Sequence, residues 1–313
     1  MTNTLTTPDV ASAAPETATG ADALVEVLGR AGIDVVAGIP GHTVGDFALA
    51  VGADGDIRRM LVRHEATAAF AADVYFRVSG RLMAFFTHAF PGALNAVTAM
   101  ANCYVDYSSA LWITGNTASV GIGRGGYQEL SRQTNDDLTG AIRPAVKRVW
   151  TPRTAGDLVH NALAALREAT SGRPGPVVLN VSQEIWSEPV PVAGASPAWE
   201  RFVFTPKPRP DRESVQAAIT RLRDARRPLI LAGNGVNLAR ASAQLAAFAE
   251  RTGIPVATTA SGKGAFPDTS ELSVGVQGWV GSETANTATR NADVILVLGA
   301  RLAETTASSW TDG

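Results

Sequence analysis

Residues 82–104 have the sequence LMAFFTHAFPGALNAVTAMANCY. The run from Leu82 to Thr87 predicts a buried strand, because it is short, almost wholly apolar and closed by polar residues. Pro91-Gly92 then opens a helix that extends to about Tyr104, since proline is favoured in the first helical turn. A strand that feeds directly into a helix is the repeating unit of a parallel sheet covered by helices.

The same alternation of strand-sized and helical segments continues on both sides of this stretch. Before and after it, the pattern predicts helices at 21–31, 42–51, 66–78 and 155–169 and strands at 35–39, 59–62, 111–114 and 177–181. Farther along the chain it predicts helices at 214–224, 239–252 and 283–289 and strands at 229–232, 256–259 and 294–298. We therefore expect an α/β fold with two doubly wound parallel-sheet domains, the second of them Rossmann-like.

Length and proline content divide the chain into domains. At roughly 100–200 residues per domain, 313 residues are enough for two. Between them lies a segment that no helix or central strand tolerates, with prolines at 189, 191, 197, 206, 208 and 210. The predicted organisation is a disordered tail at 1–20, a first domain at 21–185, a linker at 186–212 and a second domain at 213–313. Only a loop follows the strand at 294–298, so we expect the second sheet to be incomplete.

The composition excludes several classes of protein. Lys and Arg number 27 against 29 Asp and Glu, a net charge of −2, so no basic field exists to hold nucleic acid or an anionic membrane. The apolar runs are too short to span a bilayer. The single Cys103 forms no intrachain disulfide, and the four histidines lack metal-ligand spacing, so no metal site is expected. These features predict a soluble, cytoplasmic protein.

Arg63-His64-Glu65-Ala66 lies where a predicted strand meets a predicted helix. Ligands and catalytic groups in open α/β sheets collect at the carboxyl ends of strands, which makes Glu65 a candidate catalytic residue. The alternative is structural, because the helix dipole stabilises a glutamate in the first turn of a helix. Spacing alone favours the structural explanation, so the choice depends on the surrounding motifs.

Further motifs flank Glu65 along the chain. In the first domain these are Gly38-Ile39-Pro40-Gly41, Phe90-Pro91-Gly92-Ala93-Leu94-Asn95, Gly126-Tyr127-Gln128-Glu129, Lys147 and Gly172 to Pro176. In the second domain they are Gly233-Asn234-Gly235-Val236, Ile254-Pro255-Val256, Gly262 to Pro267 and Ala292-Asp293 through Gly299-Ala300-Arg301. In order and spacing they resemble acetolactate-synthase-like thiamine diphosphate enzymes over nearly everything from Ala21 to about Glu304. No single motif is specific, but several in register carry the resemblance.

The resemblance implies a role for Glu65. In that family a glutamate hydrogen-bonds N1′ of the cofactor's aminopyrimidine, which favours the imino tautomer and lets the 4′-nitrogen remove the C2 proton of the thiazolium. The ylide then attacks a 2-oxo acid, which is decarboxylated or joined to a second carbonyl compound. Around the pyrimidine or the substrate the resemblance places Pro40, Gly41, Pro91, Asn95 and the catalytic candidate Gln128. Pro91 and Asn95 also have ordinary explanations as first-turn helix residues.

One segment departs from the family pattern. Relatives that make acetolactate usually have Thr-Ser-Gly-Pro-Gly where this chain has His88-Ala89-Phe90-Pro91-Gly92. His88 is a third catalytic candidate, because an imidazole facing the thiazolium could transfer protons, although a lone histidine near a strand end is more often structural. Phe90 either narrows the substrate pocket or turns away from it. We therefore expect the substrate to be a bulkier or differently charged 2-oxo acid or acyl donor rather than two pyruvates.

A nucleotide site is the second candidate. Gly233-Asn234-Gly235 matches only two of the three glycines of a dinucleotide fingerprint, and a tight turn between strand and helix explains it equally well. The resemblance implies that this domain holds FAD, as in acetolactate-synthase relatives, or ADP, or no ligand. The candidate cofactor-binding residues are Gly233, Asn234, Gly235, Thr259, Gly299 and Arg301.

The chain lacks the motifs with which this family binds the diphosphate. The resemblance implies a Gly-Asp-Gly segment and a later Asn pair that hold Mg²⁺ through hard oxygen ligands, and neither occurs in the sequence. We expect a fragment of a longer enzyme, or one subunit of a homo- or hetero-oligomer whose other chain carries the missing domain. A nucleotide-binding or regulatory module and an inactive remnant are the alternatives, and intact Glu65 favours catalysis over both.

Overall fold

The computed structural model describes residues 17–129, 137–191 and 208–308. The chain divides into two compact units, Met1–Thr205 and Pro206–Gly313, and the division lies inside the predicted linker. Each unit has its own parallel sheet, which confirms the predicted α/β fold class. None of the helices in the described ranges has both the length and the apolar character needed to cross a bilayer.

The first unit alternates strands and helices around a six-stranded sheet. All neighbours in this sheet are parallel, in the order β3-β2-β4-β5-β7-β6, so the carboxyl ends of β2 and β4 lie side by side. Its elements in chain order are β1 (Thr17–Thr19), α1 (Gly20–Arg30), β2 (Val35–Gly38), α2 (Gly45–Asp54), β3 (Arg58–Leu61), α3 (Glu65–Ser79), β4 (Ala84–Thr87), α4 (Ala89–Asp106), β5 (Leu111–Asn116), α5 (Asp137–Ile142), β6 (Arg148–Trp150), α6 (Ala155–Thr170), β7 (Val177–Ser182) and β8 (Pro189–Pro191).

Helices cover both faces of this sheet. Leu24 of α1, Phe47 of α2 and Leu158 of α6 belong to the core on one face. Met100 of α4 and Trp112 of β5 belong to the core on the other, together with small alanines of α3 and α4. Because successive strand residues point to opposite faces, a strand buried on both sides must be apolar throughout. This explains the continuous apolar runs of the sequence.

Local sequence sets where several helices begin and end. The side chain of Thr19 accepts the Asp22 N–H, and the Asp22 carboxylate accepts the Thr19 N–H, which forms a capping box at the start of α1. Thr154 caps α6 by accepting the Asp157 N–H at 3.0 Å. α3 ends at Gly80, whose φ of 69° lies in the left-handed region that favours glycine.

The second unit is built around a four-stranded parallel sheet in the order β11-β10-β9-β12. Leu222, Val236 and Leu245 pack against one face, and Ala285 packs against the other. Its elements are α7 (Arg212–Asp224), β9 (Pro228–Ala232), α8 (Asn234–Ala239), α9 (Ser242–Thr252), β10 (Val256–Thr258), β11 (Ser273–Val276), α10 (Glu283–Asn291) and β12 (Val294–Leu298). The predicted strand 294–298 is confirmed residue for residue.

An antiparallel pair formed by β1 and β8 lies in segments that were expected to be unstructured. The prediction of a disordered tail is wrong for residues 17–20, and the prediction of a linker is wrong for 189–191. Proline is tolerated in such a short edge strand because a missing N–H there breaks no central ladder. The remaining parts of both segments, 1–16 and 192–207, lie outside the described residues.

Other differences concern short elements with weak patterns. β6 and β11 are edge strands that the sequence pattern does not predict, and β11 contains Gly275 with a φ of 95°. The predicted helix at 239–252 corresponds to α9, which begins only at Ser242, because Arg240 adopts a left-handed φ of 54°. The short helix α8, which precedes it, is not predicted from the sequence.

Candidate active site

The candidate site lies where β2 and β4 end and α3 and α4 begin. Glu65 is the first residue of α3, and only 9% of its surface is exposed. The Asn95 Nδ2 donates a hydrogen bond of 2.9 Å to the Glu65 Oε2, across 30 residues of sequence. Within the described ranges Asn95 is the one hydrogen-bond partner of this buried carboxyl group, which leaves Oε1 to exchange a proton with a ligand.

The first turn of α4 shapes the space around this carboxyl group. A Cβ at Gly92 would lie 3.1 Å from the Glu65 Oε1, so the absence of a side chain keeps that oxygen accessible. Pro91 is the third residue of α4, in the first turn, where its missing N–H breaks no helical bond. Pro91, Asn95 and Pro40 are all exposed. The carboxyl group is therefore buried beside residues of α4 that are themselves exposed.

His88 lies at the end of β4 and is held through both ring nitrogens. The Thr43 Oγ1 lies 2.8 Å from the His88 Nδ1, and the Gln128 Oε1 contacts the His88 Nε2. A Cβ at Gly41 would lie 2.3 Å from the His88 Cγ, so glycine at position 41 makes room for the imidazole. The structure thus brings Gly41, His88 and Gln128 together, three residues that the sequence placed in one site.

The surroundings of His88 favour its neutral form. Burial lowers the pKa of His88, and the neighbouring His42 lowers it further, whereas the hydrogen bond with Gln128 and the nearby Glu65 carboxylate oppose the shift. The imidazole is therefore uncharged at neutral pH. It is a hydrogen-bonding group rather than a cationic one.

Sequence reasoning missed His42 and Thr43. The ring centroids of His42 and His88 are 4.8 Å apart in an edge-to-face arrangement, and the His42 ring lies 5.9 Å from that of Tyr127. The sequence pattern places both residues in a helix at 42–51, whereas α2 begins at Gly45. Their position directly after Pro40-Gly41 was the one available signal.

The loop that carries Gln128 is tied down by its neighbour. The carboxylate of Glu129 accepts the N–H of Gly123 at 2.5 Å and the N–H of Gly126 at 2.7 Å. Gln128 itself has a φ of 59°, which is uncommon for a residue with a side chain. Such conformations persist where the surrounding structure imposes them, frequently at functional sites.

The glycine turn of the second unit packs against its own chain. A Cβ at Gly233 would lie 2.4 Å from the Gly299 oxygen, and one at Gly235 would lie 2.6 Å from the Gly299 Cα. The N–H groups of Gly233 and Gly235 donate to the carbonyls of Leu298 and Gly299, and the Val236 N–H donates to Gly233. A phosphate cradle needs N–H groups free to bind oxygen, so these three do not provide one.

Thr259 and Arg301, the other candidate cofactor-binding residues of the second unit, also follow the carboxyl ends of strands. The Thr259 Oγ1 accepts the N–H of Gly262 at 2.9 Å, and Arg301 is exposed. Beside the turn is an apolar cavity of about 330 Å³ bounded by Gly235, Gly299 and helices α8 and α9. Cavities of roughly this size, about 300–1,000 Å³, hold small ligands.

No cluster of three or more metal-ligating side chains occurs in the described ranges. The one thiol, Cys103, is buried in the core, where burial raises its pKa. Neither finding adds a residue to the candidate site.

Comparison with protein families places two domains on the chain. Residues 18–136 match the model described as thiamine pyrophosphate enzyme, N-terminal TPP binding domain. Residues 215–312 match the model described as thiamine pyrophosphate enzyme, central domain. The first match contains Glu65, Asn95, His88 and Gln128, and the second contains the glycine turn.

Curated relatives extend the comparison across both units. The chain is 36% identical over 294 residues to the acetolactate synthase large subunit of Parasynechococcus marenigrum, covering 92% of this chain and 46% of the relative. It is 33% identical to that of Corynebacterium glutamicum, covering 93% and 45%. It is 32% identical to the probable large subunit of Methanocaldococcus jannaschii, covering 91% and 47%. The chain spans about half the length of these relatives.

Proposed function

Because the chain belongs to the thiamine pyrophosphate enzymes and is homologous to acetolactate synthase large subunits, we propose that it forms the pyrimidine-binding side of a catalytic thiamine diphosphate site. The complete enzyme decarboxylates or carboligates 2-oxo acids. The observation that carries this proposal is the buried Glu65 carboxyl group, held by Asn95 at the carboxyl ends of β2 and β4.

The two oxygens of Glu65 have different roles in this proposal. The Asn95 amide donates to Oε2, so Oε1 is the atom that would exchange a proton with a bound aminopyrimidine. Gly92 fits this role, because a side chain there would crowd Oε1. When bound, thiamine diphosphate supplies a carbon nucleophile and an electron sink. In this proposal Pro40, Gly41 and Pro91 border the pyrimidine, and Gln128 and His88 lie on the substrate side.

The diphosphate and its Mg²⁺ are held, in this proposal, by a segment that carries the Gly-Asp-Gly and Asn-pair motifs. The support is that the relatives are about twice as long as this chain and that their name describes a large subunit. The working enzyme is then a homo- or hetero-oligomer in the cytoplasm. The substrate is a bulkier or differently charged 2-oxo acid or acyl donor rather than two pyruvates, since His88 replaces a smaller family residue. Phe90 packs against the core that contains Met100 and Trp112.

The test is reconstitution. The chain is combined with a candidate partner bearing those motifs, thiamine diphosphate and Mg²⁺, and carbon dioxide release is measured for a panel of 2-oxo acids. Glu65→Gln is expected to lower the rate about 10²–10⁴-fold, the usual contribution of a positioned acid–base group. Glu26→Gln is the matched control, because Glu26 lies on the exposed surface of α1 in a salt bridge with Arg30.

Two outcomes would contradict the assignment. Activity that survives Glu65→Gln unchanged would show that Glu65 is not the proton relay. Pyruvate turned over fastest in the panel would overturn the expected substrate class and leave the role of Glu65 standing.

Nucleotide binding by the second unit is the second candidate function. The apolar cavity bounded by Ala239, Leu245 and Phe248 supports it, since a flat ring system of FAD or ADP fits such a lining. Phosphates would have to bind away from the glycine turn, whose N–H groups are occupied. A yellow chromophore after purification, or saturable binding of FAD or ADP lost in Ala239→Leu but kept in the exposed control Ala243→Leu, is the expected result. Absence of both would remove this candidate.

A further inference from the structure

His88 is fully engaged before any substrate binds. Thr43 lies against Nδ1 and Gln128 against Nε2, so neither ring nitrogen is left to reach a reacting atom. A histidine that transferred protons directly would need one nitrogen free. The chemistry of His88 must therefore act through the residues that it contacts.

The contacts define one tautomer. The Gln128 Oε1 can only accept a hydrogen bond, so the proton of the neutral ring lies on Nε2. Nδ1 then accepts, and the Thr43 hydroxyl donates to it at 2.8 Å. The direction of donation runs from Thr43 through His88 to Gln128.

Thr43 is the first residue of this hydrogen-bonded series from Thr43 through His88 to Gln128, and buried contacts fix its position. It is fully buried, and its carbonyl accepts the indole N–H of Trp186 at 2.8 Å. A Cβ at Gly115 would lie 2.4 Å from the same carbonyl oxygen, so the backbones of β5 and the Thr43 loop are in close contact. Trp186 in turn stacks on Phe47 with ring centroids 5.4 Å apart. The hydroxyl is therefore anchored by the core of the first unit.

We propose that Thr43 and His88 are positioning residues that fix the side-chain amide of Gln128 with its two N–H donors directed to an oxygen of the 2-oxo acid. The Gln128 Oε1 is occupied by His88, and its amide nitrogen has no partner within the described part of the chain. An amide fixed in this way binds a carboxylate or carbonyl oxygen without first losing rotational freedom. The identity of the substrate rests on the proposed function. The hydrogen-bonded series of Thr43, His88 and Gln128 does not depend on it.

The hydrogen-bonded series has a spectroscopic test that needs no activity. In the full chain labelled with ¹⁵N-histidine, four residues give signals, and each is assigned by its absence in the corresponding histidine-to-glutamine variant. At neutral pH His88 is expected as the Nε2–H tautomer, with Nδ1 in the shift range of an unprotonated acceptor. Thr43→Val is expected to shift it to a mixture of tautomers, and Thr43→Ser is expected to restore the wild-type spectrum.

Thr117→Val is the matched control. It removes a hydroxyl that is also buried and that has no hydrogen-bond partner in the described ranges, so the His88 signals should not change. A dominant Nδ1–H tautomer in the wild type would overturn the proposal. So would a Thr43→Val spectrum that is indistinguishable from that of Thr117→Val.

The reconstituted enzyme separates this inference from the proposed function. Thr43→Val is expected to raise KM for the 2-oxo acid about tenfold, the effect of one lost hydrogen bond, while the loss of rate on Glu65→Gln persists. An unchanged KM in Thr43→Val would contradict the positioning role. If no preparation turns over any 2-oxo acid, the proposed function fails, and the tautomer measurement still decides whether Thr43 and His88 hold Gln128.

Discussion

Two pairs of glycines at the carboxyl ends of strands, one pair in each unit, make room for different kinds of atom. In the first unit, Gly41 and Gly92 leave room for side chains, the ring of His88 and the carboxyl group of Glu65. In the second, Gly233 and Gly235 leave room for backbone, the segment at Gly299. Glycine at the end of a strand therefore makes room for side chains of the candidate site in one pair and for a backbone packing contact in the other. What distinguishes them is the atom that a Cβ would meet.

The largest expected effect is that of Gly235→Ala. A Cβ there would meet the backbone of Gly299 at 2.6 Å, and backbone in a packed sheet cannot move aside. The free energy of unfolding of the second unit should fall by about 1–3 kcal/mol or more, as for other overpacked positions. Hydrogen exchange at the amides of β9 and β12 measures it. Gly29→Ala is the control, expected to stabilise α1 by up to about 1 kcal/mol, since nothing lies within 4 Å of its Cβ.

Gly41→Ala should have a smaller effect on stability and a larger one on the site. The Cβ would lie 2.3 Å from the His88 Cγ, and a side chain can rotate away where backbone cannot. We expect a loss of about 1 kcal/mol, at the low end for overpacking, together with displaced His88 NMR signals. Gly45→Ala, which has nothing within 4 Å, serves as control. An undisturbed His88 spectrum in Gly41→Ala would break the comparison between the two units.

Buried threonine hydroxyl groups provide a second comparison between the two units. The Thr114 Oγ1 of β5 accepts a 3.0 Å hydrogen bond from the Thr87 hydroxyl, whereas the buried Thr258 Oγ1 of β10 has no partner in the described ranges. Thr114→Val should destabilise the first unit by about 1 kcal/mol, and Thr258→Val should stabilise the second by up to about 1 kcal/mol. Thermal denaturation of the two variants measures both effects. If both variants changed the free energy of unfolding in the same direction, burial of the hydroxyl group would decide the effect and its hydrogen bond would not.

The smallest expected effect is a pH dependence. Burial lowers the pKa of His88 below the ordinary 6.5, so the unfolded chain binds the proton more readily than the folded one. Stability should therefore be full above about pH 6.5 and should fall as the pH drops toward the lower folded pKa. The groups that face His88 are His42, Glu65 and Gln128, with Tyr127 beyond His42.

His88→Gln is the variant that isolates this contribution. Unfolding midpoints between about pH 7.5 and 5 should decline less steeply in the variant than in the wild type, because the group that must take up a proton on unfolding is gone. An equal or steeper decline would assign the pH dependence to other residues.

The elements that could be predicted are those with a strong local pattern. β12 follows directly from Val294 to Leu298, five apolar residues between polar ones. β6 could not be predicted, because Arg148 and Trp150 form no apolar run and the strand exists only through its pairing with β7. β1 and β8 pair across more than 150 residues, and their contact has no local signal. Long-range pairing therefore decided the elements that periodicity missed.

The candidate site shows the same division between features with a local sequence signal and features that depend on long-range contacts. Glu65 and His88 could be named because they lie next to predicted strand ends, and Asn95 and Gln128 because they lie in motifs that carry the family resemblance. Their contacts could not, since Asn95 is 30 residues from Glu65 and Gln128 is 40 from His88. Thr43 was invisible for the same reason, as its hydroxyl matters only through a ring 45 residues away.

By itself, the sequence determined the α/β class, the two domains and the family, because apolar periodicity and motif order are properties of the chain taken locally. Only the tertiary structure decided that His88 has both nitrogens occupied and that the turn at Gly233 binds its own backbone. The physical reason is that a hydrogen bond or a van der Waals contact depends on which distant residues the sheet order brings together.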